Sequence, residues 1–415
     1  MKPGNNISNL VWALFEKILT IVLALITTAA IARHFGVNNF GTYQFAMSVL
    51  FVATSLTWLC PAETLFSKVK SDGTIDNNVV FTSIVYRFCV SFLVWFSVFI
   101  YVIFNVDSTL LLAFILILIT TLIYSEPLGV FRFLLECQGY YHLTARIRLF
   151  SLVVKTALIL LMTRYGFNPA IIVAPVLLET LMVSGLCYFY ASKYDKSLEL
   201  SFKFFDKNIA KMFFIDGIKL WSGLVCMNLF LKLDRLVLQS NMSGEVFGHY
   251  SASFSVLEQL TSLSTMIFAV LGPVLIYRAT AIQLKINTLK LSGIMFCIGI
   301  VGSTIVYFLS DYFILIVYGE SYVESIPMFK LLVFVVPLVF LDSALNAYII
   351  KNKSSLFFFF KWLIVLLTAY LALKFNLNNI GWQAGVYSYY AGFVMAVLIS
   401  LCYFYFYKSK GLSCQ

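Results

Sequence analysis

Basic side chains stand inside the long apolar segments of this chain, where a charge is costly to keep and usually serves a function. They include Lys17, Arg87, Lys155, Lys219, Lys232, Arg235 and Lys330. An arginine can bind a phosphate through two parallel hydrogen bonds, and a lysine binds it as a point charge. We therefore predict a cavity that binds an anionic head group, formed by Arg87, Lys155, Lys219, Lys17 and Arg235.

A second interpretation of these cations is purely local. Glu16 precedes Lys17, Asp216 lies one helical turn before Lys219, and Asp234 precedes Arg235. Such neighbours can form ion pairs within one helix, and long basic side chains can also extend to the membrane surface. Both interpretations stay open for these residues at the level of sequence.

Carboxylates inside the apolar segments suggest a second chemistry. Glu179 lies near the middle of one segment, Glu126 precedes Pro127, and Glu258 follows Ser255-Val256-Leu257. A carboxyl group whose surroundings alternate between wet and dry can bind and release a proton or a metal cation. We predict that Glu126, Glu179 and Glu258 are candidates for coupling to H⁺ or Na⁺, the alternative being that they balance the cavity cations.

The sequence contains no pattern of catalytic or metal-binding residues. The eight cysteines are scattered without a CxxC or Cys/His spacing, and His34, His142 and His249 fall in loops or at segment ends. No nucleophile–base pair is recognisable, and we expect no cofactor and no metal. A membrane-embedded enzyme that acts on a substrate outside the membrane would need a large external loop, and we expect none. The sequence therefore predicts a transporter and not an enzyme.

The composition requires that these residues be positioned by membrane-spanning helices. The chain is 61% hydrophobic and 12% charged, too apolar for a globule in water. A bilayer core of about 30 Å needs about 20 apolar residues in a helix, which satisfies its own backbone groups. We predict an all-α membrane protein with spans near 10–33, 40–66, 79–104, 108–132, 145–164, 168–192, 209–238, 246–278, 286–309, 323–350, 354–375 and 379–407.

Loop charges predict the orientation of the twelve spans. Lysine and arginine concentrate in the loops of one side, and the opposite loops carry little beyond Arg33, Arg164 and Lys374. By the positive-inside rule the basic side is cytoplasmic, and so are both termini. The net charge of +10 therefore reflects topology, and no nucleic-acid partner is expected. We predict an N-terminal lobe at 1–195, a cytoplasmic linker at 196–211 and a C-terminal lobe at 212–415.

A short repeat relates the two predicted lobes. Phe40–Leu50 (FGTYQFAMSVL) and Phe247–Leu257 (FGHYSASFSVL) lie 207 positions apart in a chain of 415 residues. Because an even number of spans separates the copies, the lobes are predicted to be parallel six-helix bundles around a central cavity. We expect Gly41 and Gly248 to permit tight helix entry, and Tyr43 and Tyr250 to lie at the membrane interface.

Three motifs resemble those of a known family. Ala32–Tyr43 (ARHFGVNNFGTY) is similar to the A-R-x-L-G-x-x-x-F-G-x-Y signature of the multidrug/oligosaccharidyl-lipid/polysaccharide (MOP) exporters, although Phe35 replaces a leucine. Leu233–Leu238 followed by Val246–Ala252 resembles the signature of the second half, and Tyr318–Tyr322 (YGESY) resembles F-G-x-x-Y. With twelve predicted spans, the chain most resembles the O-antigen flippases of the Wzx type.

This resemblance implies a function that composition does not reveal. It implies that an oligosaccharide linked to undecaprenyl pyrophosphate is moved from the inner to the outer leaflet of a bacterial inner membrane by alternating access. The polysaccharide polymerase machinery is then a further candidate partner. Two alternatives remain: a small-molecule antiporter of the multidrug-extrusion (MATE) branch, and a flippase for another lipid-linked glycan such as a teichoic-acid or exopolysaccharide unit.

Overall fold

The computed structural model describes residues 6–59, 76–195, 198–272, 275–276, 281–352 and 354–406. A glycine divides the first of its helices. Helix α1 runs from Asn6 to Thr57, and Gly36 within it has φ 71° and ψ 170°. This left-handed backbone conformation favours glycine, which has no Cβ to clash. The predicted spans 10–33 and 40–66 thus meet at one sharp break, and the end of the second lies outside the described residues.

Four long helices follow before the predicted linker, and a one-turn helix (Pro169–Ile172) precedes the last of them. The four long helices are α2 (Asn77–Asn105), α3 (Thr109–Cys137), α4 (Tyr141–Arg164) and α5 (Ala174–Tyr194). Side chains cap two of the turns between them: Ser108 accepts a hydrogen bond from the Leu111 backbone N–H, and Asn168 accepts one from Ala170. Such caps satisfy backbone N–H groups that the first helical turn leaves unpaired.

The described residues of the second half form seven α-helices. They are α6 (Lys207–Leu238), α7 (Gly244–Gly272), α8 (Ala281–Tyr318), α9 (Ser325–Leu332), α10 (Val336–Lys351), α11 (Ser355–Ile380) and α12 (Gln383–Phe406). Between α9 and α10 the chain tightens into a 3₁₀ turn at Val333–Val335, immediately before Pro337. A proline near a helix start is tolerated because its missing N–H would have no partner there.

The described chain forms two compact units. One contains the described residues of Met1–His34 and Ala46–Trp221, and the other those of Phe35–Phe45 and Ser222–Gln415. The segment from Phe35 to Phe45 thus belongs with the second half of the chain. The lobe boundaries, the linker and the parallel arrangement predicted from sequence remain predictions.

Nine helical segments in the described part of the chain are long and apolar enough to cross a membrane. These segments confirm an all-helical, multi-pass membrane protein. The count of twelve remains a prediction, because Phe15–Thr57 counts as one segment although Gly36 breaks it, and α4 and α7 are not among the nine.

The start of the first repeat copy packs against the start of the second copy within the second unit. A Cβ added to Gly41 would lie 3.0 Å from the Gly248 Cα, and one added to Gly248 would overlap the Val37 carbonyl oxygen. The glycines therefore permit a close crossing of two helices. Tyr43 and Tyr250 are both buried within the protein. Their position at the depth of the membrane interface remains a prediction.

Candidate functional site

A polar cavity of about 470 Å³ lies within the first unit. Helices α1, α3, α4 and α5 surround it. Its lining includes four basic side chains, Lys17, Arg132, Arg148 and Lys155, and three acidic ones, Glu16, Glu126 and Glu179. Threonines, serines, small residues and the aliphatic side chains of Leu128, Leu152 and Val183 complete the wall. A charged cavity in an otherwise apolar helical unit is the strongest candidate for a binding site.

Helical periodicity explains how the sequence places these side chains in one cavity. On α4, Arg148, Leu152 and Lys155 follow at intervals of four and three residues, so they share one face. On α1, Glu16, Thr20 and Ala24 follow at intervals of four. Small residues on the same faces leave room for the long charged side chains.

The pair formed by Lys155 and Glu179 joins α4 to α5. The Lys155 Nζ lies 2.7 Å from the Glu179 Oε2, and the two side chains are 16% and 22% exposed. Thr180, the residue after Glu179, also lines the cavity, and its hydroxyl lies 2.7 Å from the Tyr124 hydroxyl. The ion pair is thus sheltered by protein but still reached from the cavity.

A second pair joins α4 to α1. The Arg148 guanidinium lies 2.9 Å from the Glu16 carboxylate, whose other oxygen accepts a hydrogen bond of 3.2 Å from the Tyr141 hydroxyl. Glu16 is nearly inaccessible, whereas Arg148 is 28% exposed. Because the arginine is more accessible than its partner, it can present unused N–H donors to a ligand in the cavity.

A third pair has a longer separation between its charged groups. The Arg87 guanidinium on α2 is 3.9 Å from the Glu126 carboxylate on α3. A Cβ on Gly129 would come 4.0 Å from an Arg87 nitrogen, so the glycine leaves space beside the guanidinium. Arg132, which lines the cavity one turn further along α3, lies 3.7 Å from Glu136.

The remaining predicted cations lie in different surroundings. Lys17 lines the cavity with an exposed side chain. Lys219 is exposed on α6 and is not one of the cavity-lining residues. Arg235 lies in the second unit and is 1% exposed. The structure thus brings Lys17, Arg87 and Lys155 near one cavity and places Lys219 and Arg235 elsewhere.

In the second unit, two cations converge on one acid. The Glu258 Oε1 accepts hydrogen bonds from the Lys232 ammonium at 2.6 Å and from the Arg235 guanidinium at 2.5 Å. Arg235 also donates to the Leu231 carbonyl oxygen at 2.7 Å and stacks on the Phe254 ring. The neighbouring Asp234 carboxylate accepts a hydrogen bond of 2.8 Å from the buried Tyr250 hydroxyl.

The pairing of charges is the main result that the sequence did not reveal. Arg87 pairs with Glu126, Lys155 with Glu179, and Arg235 with Glu258. Each candidate for ion coupling therefore contacts a candidate for head-group binding. Arg132 and Arg148 were missed as cavity residues, although the position of Arg148 seven residues before Lys155 on α4 placed it on the same face. Among the described residues, no group of three His, Cys, Asp or Glu side chains is arranged to hold a metal ion.

Comparisons with known proteins identify related folds. Residues 7–277 match the profile of a family described as polysaccharide biosynthesis protein. The structure resembles the lipid II flippase MurJ in an inward closed conformation (TM-score 0.65, 16% identity, covering 95% of this chain and 87% of that one). It also resembles a eukaryotic MATE transporter (TM-score 0.63, 16% identity, 97% and 96%).

A third solved structure has the same architecture. It is the inward-facing form of a multidrug resistance MATE family transporter of the MOP superfamily (TM-score 0.60, 14% identity, covering 96% of this chain and 94% of that one). At these identities the likeness establishes a shared fold. A search of curated proteins returns no significant match.

Proposed function

Because the chain belongs to the polysaccharide biosynthesis protein family, we propose that it is a flippase for a lipid-linked oligosaccharide that carries a pyrophosphate. The observation that carries this proposal is the cavity of the first unit, whose wall holds Lys17, Arg132, Arg148 and Lys155. The fold shared with MurJ, a lipid II flippase, also supports a flippase function. The finer assignment is the undecaprenyl-pyrophosphate-linked O-antigen unit of a bacterial inner membrane.

The physical need for such a protein is clear. A pyrophosphate and several sugars would have to cross about 30 Å of hydrocarbon, where each unsatisfied polar group costs several kcal/mol. A protein cavity with fixed cations replaces the water that the head group loses. The lipid tail stays in the bilayer, so only the head needs a polar path.

The ion pairs of the cavity suggest how the head group binds. Lys155 and Arg148 already contact Glu179 and Glu16 at 2.7 Å and 2.9 Å. A pyrophosphate that approaches these cations competes with the carboxylates for the same N–H donors. Protonation of a carboxylate weakens its hold on the cation and favours the substrate. We therefore propose that Glu179 couples H⁺ binding to substrate binding, with Glu126 beside Arg87 in a similar role.

The other predicted residues have more distant roles in this proposal. Lys17 adds positive charge at the cavity wall, and Lys219 attracts anionic head groups from its exposed position on α6. Arg235 and Glu258 organise the second unit and do not contact the head group. The transport cycle is proposed to alternate access between the leaflets, with both termini in the cytoplasm and the polysaccharide polymerase machinery receiving the product.

A transport assay with a defined lipid tests the proposal. Purified protein is reconstituted into vesicles with a fluorescent polyprenyl-pyrophosphate oligosaccharide, and the fraction reached by an external quencher is followed in time. We expect Arg87→Ala to reduce the rate at least about tenfold and Arg87→Lys to retain part of it, because lysine keeps the charge but loses the two parallel hydrogen bonds. Equal rates in empty vesicles and in protein-containing vesicles would refute the flippase.

Ion coupling requires a separate experiment with the same vesicles. We expect the parent protein to respond to an imposed pH gradient and Glu179→Gln to lose that response, because glutamine cannot release a proton. A sodium gradient is applied in parallel. If Glu179→Gln keeps the parent's dependence on both gradients, Glu179 has no role in coupling.

The likeness to MATE transporters favours one alternative function. Glu16, Glu126 and Glu179 give the cavity three carboxylates that a cationic drug could contact. The alternative is therefore export of small organic cations. Uptake of a fluorescent organic cation into protein-containing vesicles, together with no movement of the polyprenyl lipid, would support the antiporter and not the flippase.

A further inference from the structure

A completely buried lysine lies in the second unit, away from the residues discussed above. The Lys361 side chain on α11 is inaccessible, and its partner Asp342 on α10 is 3% exposed. The Lys361 Nζ lies 2.6 Å from the Asp342 Oδ1 and 2.6 Å from the Asn346 Oδ1. Charged lysines are almost never fully buried unless they are paired, so this ammonium depends on the oxygens around it.

The oxygens belong to a connected cluster on two other helices. The Asn346 side-chain N–H donates to the Asp342 Oδ2 at 2.7 Å, which aims the Asn346 carbonyl oxygen at Lys361. The Ser400 hydroxyl on α12 donates to the Asp342 Oδ1 at 3.1 Å. The three helices α10, α11 and α12 therefore meet at one carboxylate, whose two oxygens accept three hydrogen bonds.

The oxygen atoms of this cluster are of the kinds that coordinate a small hard cation. Such cations bind oxygen ligands from carboxylates, amide carbonyls and hydroxyls. Asp342 and Asn346 supply a carboxylate and an amide oxygen to the Lys361 ammonium, and the Ser400 hydroxyl lies 3.1 Å from the same Asp342 oxygen. In this protein the Lys361 ammonium occupies the position of such a cation, and the Trp362 ring centroid lies 4.8 Å from it.

We propose that Asp342, Asn346 and Ser400 form a monovalent-cation site that is permanently occupied by Lys361. The tethered ammonium holds α10, α11 and α12 together without an ion from solution. Sodium then has no effect at this cluster in the native protein. Removal of the lysine side chain leaves a vacant site with a buried carboxylate, which Na⁺ can enter.

Thermal unfolding of detergent-solubilised protein tests this proposal. The native protein and Lys361→Ala are melted in NaCl and in N-methyl-D-glucamine chloride at equal ionic strength, the organic cation being too large for the cluster. We expect no difference for the native protein. For Lys361→Ala we expect a lower midpoint, raised by about 3 °C in NaCl because sodium binds only the folded state.

Two control variants define the site. Lys361→Ala/Asp342→Asn lacks the carboxylate and should lose the sodium response. Lys330→Ala removes a partly exposed lysine that lies 2.7 Å from Asp311, and it should show no sodium response. If Lys361→Ala melts at the same temperature in both salts, or if the double variant keeps the response, the proposal is wrong.

A folding failure of the single variant would not prevent the test. In that case Lys361→Ala is purified with propylammonium chloride, whose ammonium and short chain replace the missing side chain. Recovery of folded protein with propylammonium or sodium, and not with N-methyl-D-glucamine, supports the site. Failure with all three cations overturns it. Because the measurement is stability, it stands independently of the proposed flippase.

Discussion

The two units of this protein treat their buried charges differently. In the first unit Lys155 at the cavity wall pairs with Glu179, and the two side chains are 16% and 22% exposed. In the second unit the Lys361–Asp342 pair is sealed, with side chains 0% and 3% exposed. Arg235 is also buried, at 1%, although its partner Glu258 is 33% exposed. The Lys155–Glu179 pair can exchange partners, and the Lys361–Asp342 pair cannot.

The physical reason for this difference is desolvation. Breaking a sealed ion pair leaves a charge without water or partner, which typically costs 3–5 kcal/mol. A pair at a cavity wall can be replaced by water or by a charged ligand, so its rupture costs much less. The comparison teaches that buried charge in this fold has two uses: exchangeable pairs for a ligand and sealed pairs for holding helices.

The largest expected effect is at Arg235, whose side chain is 1% exposed and lies 3.6 Å from the equally buried Asp234 carboxylate. Arg235→Ala removes this guanidinium and leaves Glu258 with Lys232 alone. We expect a loss of about 3–5 kcal/mol in the free energy of unfolding, because the buried Asp234 carboxylate loses its charged neighbour. Chemical denaturation in detergent measures it. A loss no greater than that of a cavity-pair variant would remove the distinction between the units.

An intermediate effect is expected where the pair lines the cavity. The exchanged variant Lys155→Glu/Glu179→Lys keeps the ion pair between α4 and α5 but moves the cation to the other helix. We expect stability within about 1 kcal/mol of the parent, since both charges remain partnered. Lipid transport should nevertheless fall at least about tenfold, because the head group meets a carboxylate where the ammonium stood.

The single variants provide the control for this exchange. Lys155→Met and Glu179→Gln are assayed at matched protein levels, in the same vesicles. If the exchanged variant transports as fast as the parent while Lys155→Met does not, the pair serves only to join the helices, and the cation is not a head-group ligand.

The smallest effect is expected for a pair in solvent. Lys203 lies 2.6 Å from Glu199, and the two side chains are 56% and 57% exposed. Exposed pairs contribute little because water already solvates both charges. We expect Lys203→Ala to leave the melting temperature and the transport rate unchanged. A clear loss of stability would show that exposure is a poor guide to the strength of ion pairs here.

Much of the fold follows from the sequence because a bilayer permits few solutions. Apolar segments of about 20 residues must be helical to satisfy their backbone, and the break at Gly36 lies between two predicted spans. The residues of the candidate site were harder to predict from the sequence than the helices were. Charges inside spans mark functional positions, yet Lys219 and Arg235 proved to lie away from the cavity that Lys17 and Lys155 line.

The sequence by itself determined that the chain is a helical membrane protein, which residues carry charge inside it, and to which family it belongs. Only the tertiary structure decided which charges meet, because helical periodicity gives the face of a residue but not the partner on another helix. Each of the three candidate carboxylates, Glu126, Glu179 and Glu258, forms an ion pair with a basic side chain on another helix than its own. Gly41 and Gly248, 207 residues apart, came together because neither has a side chain to prevent it.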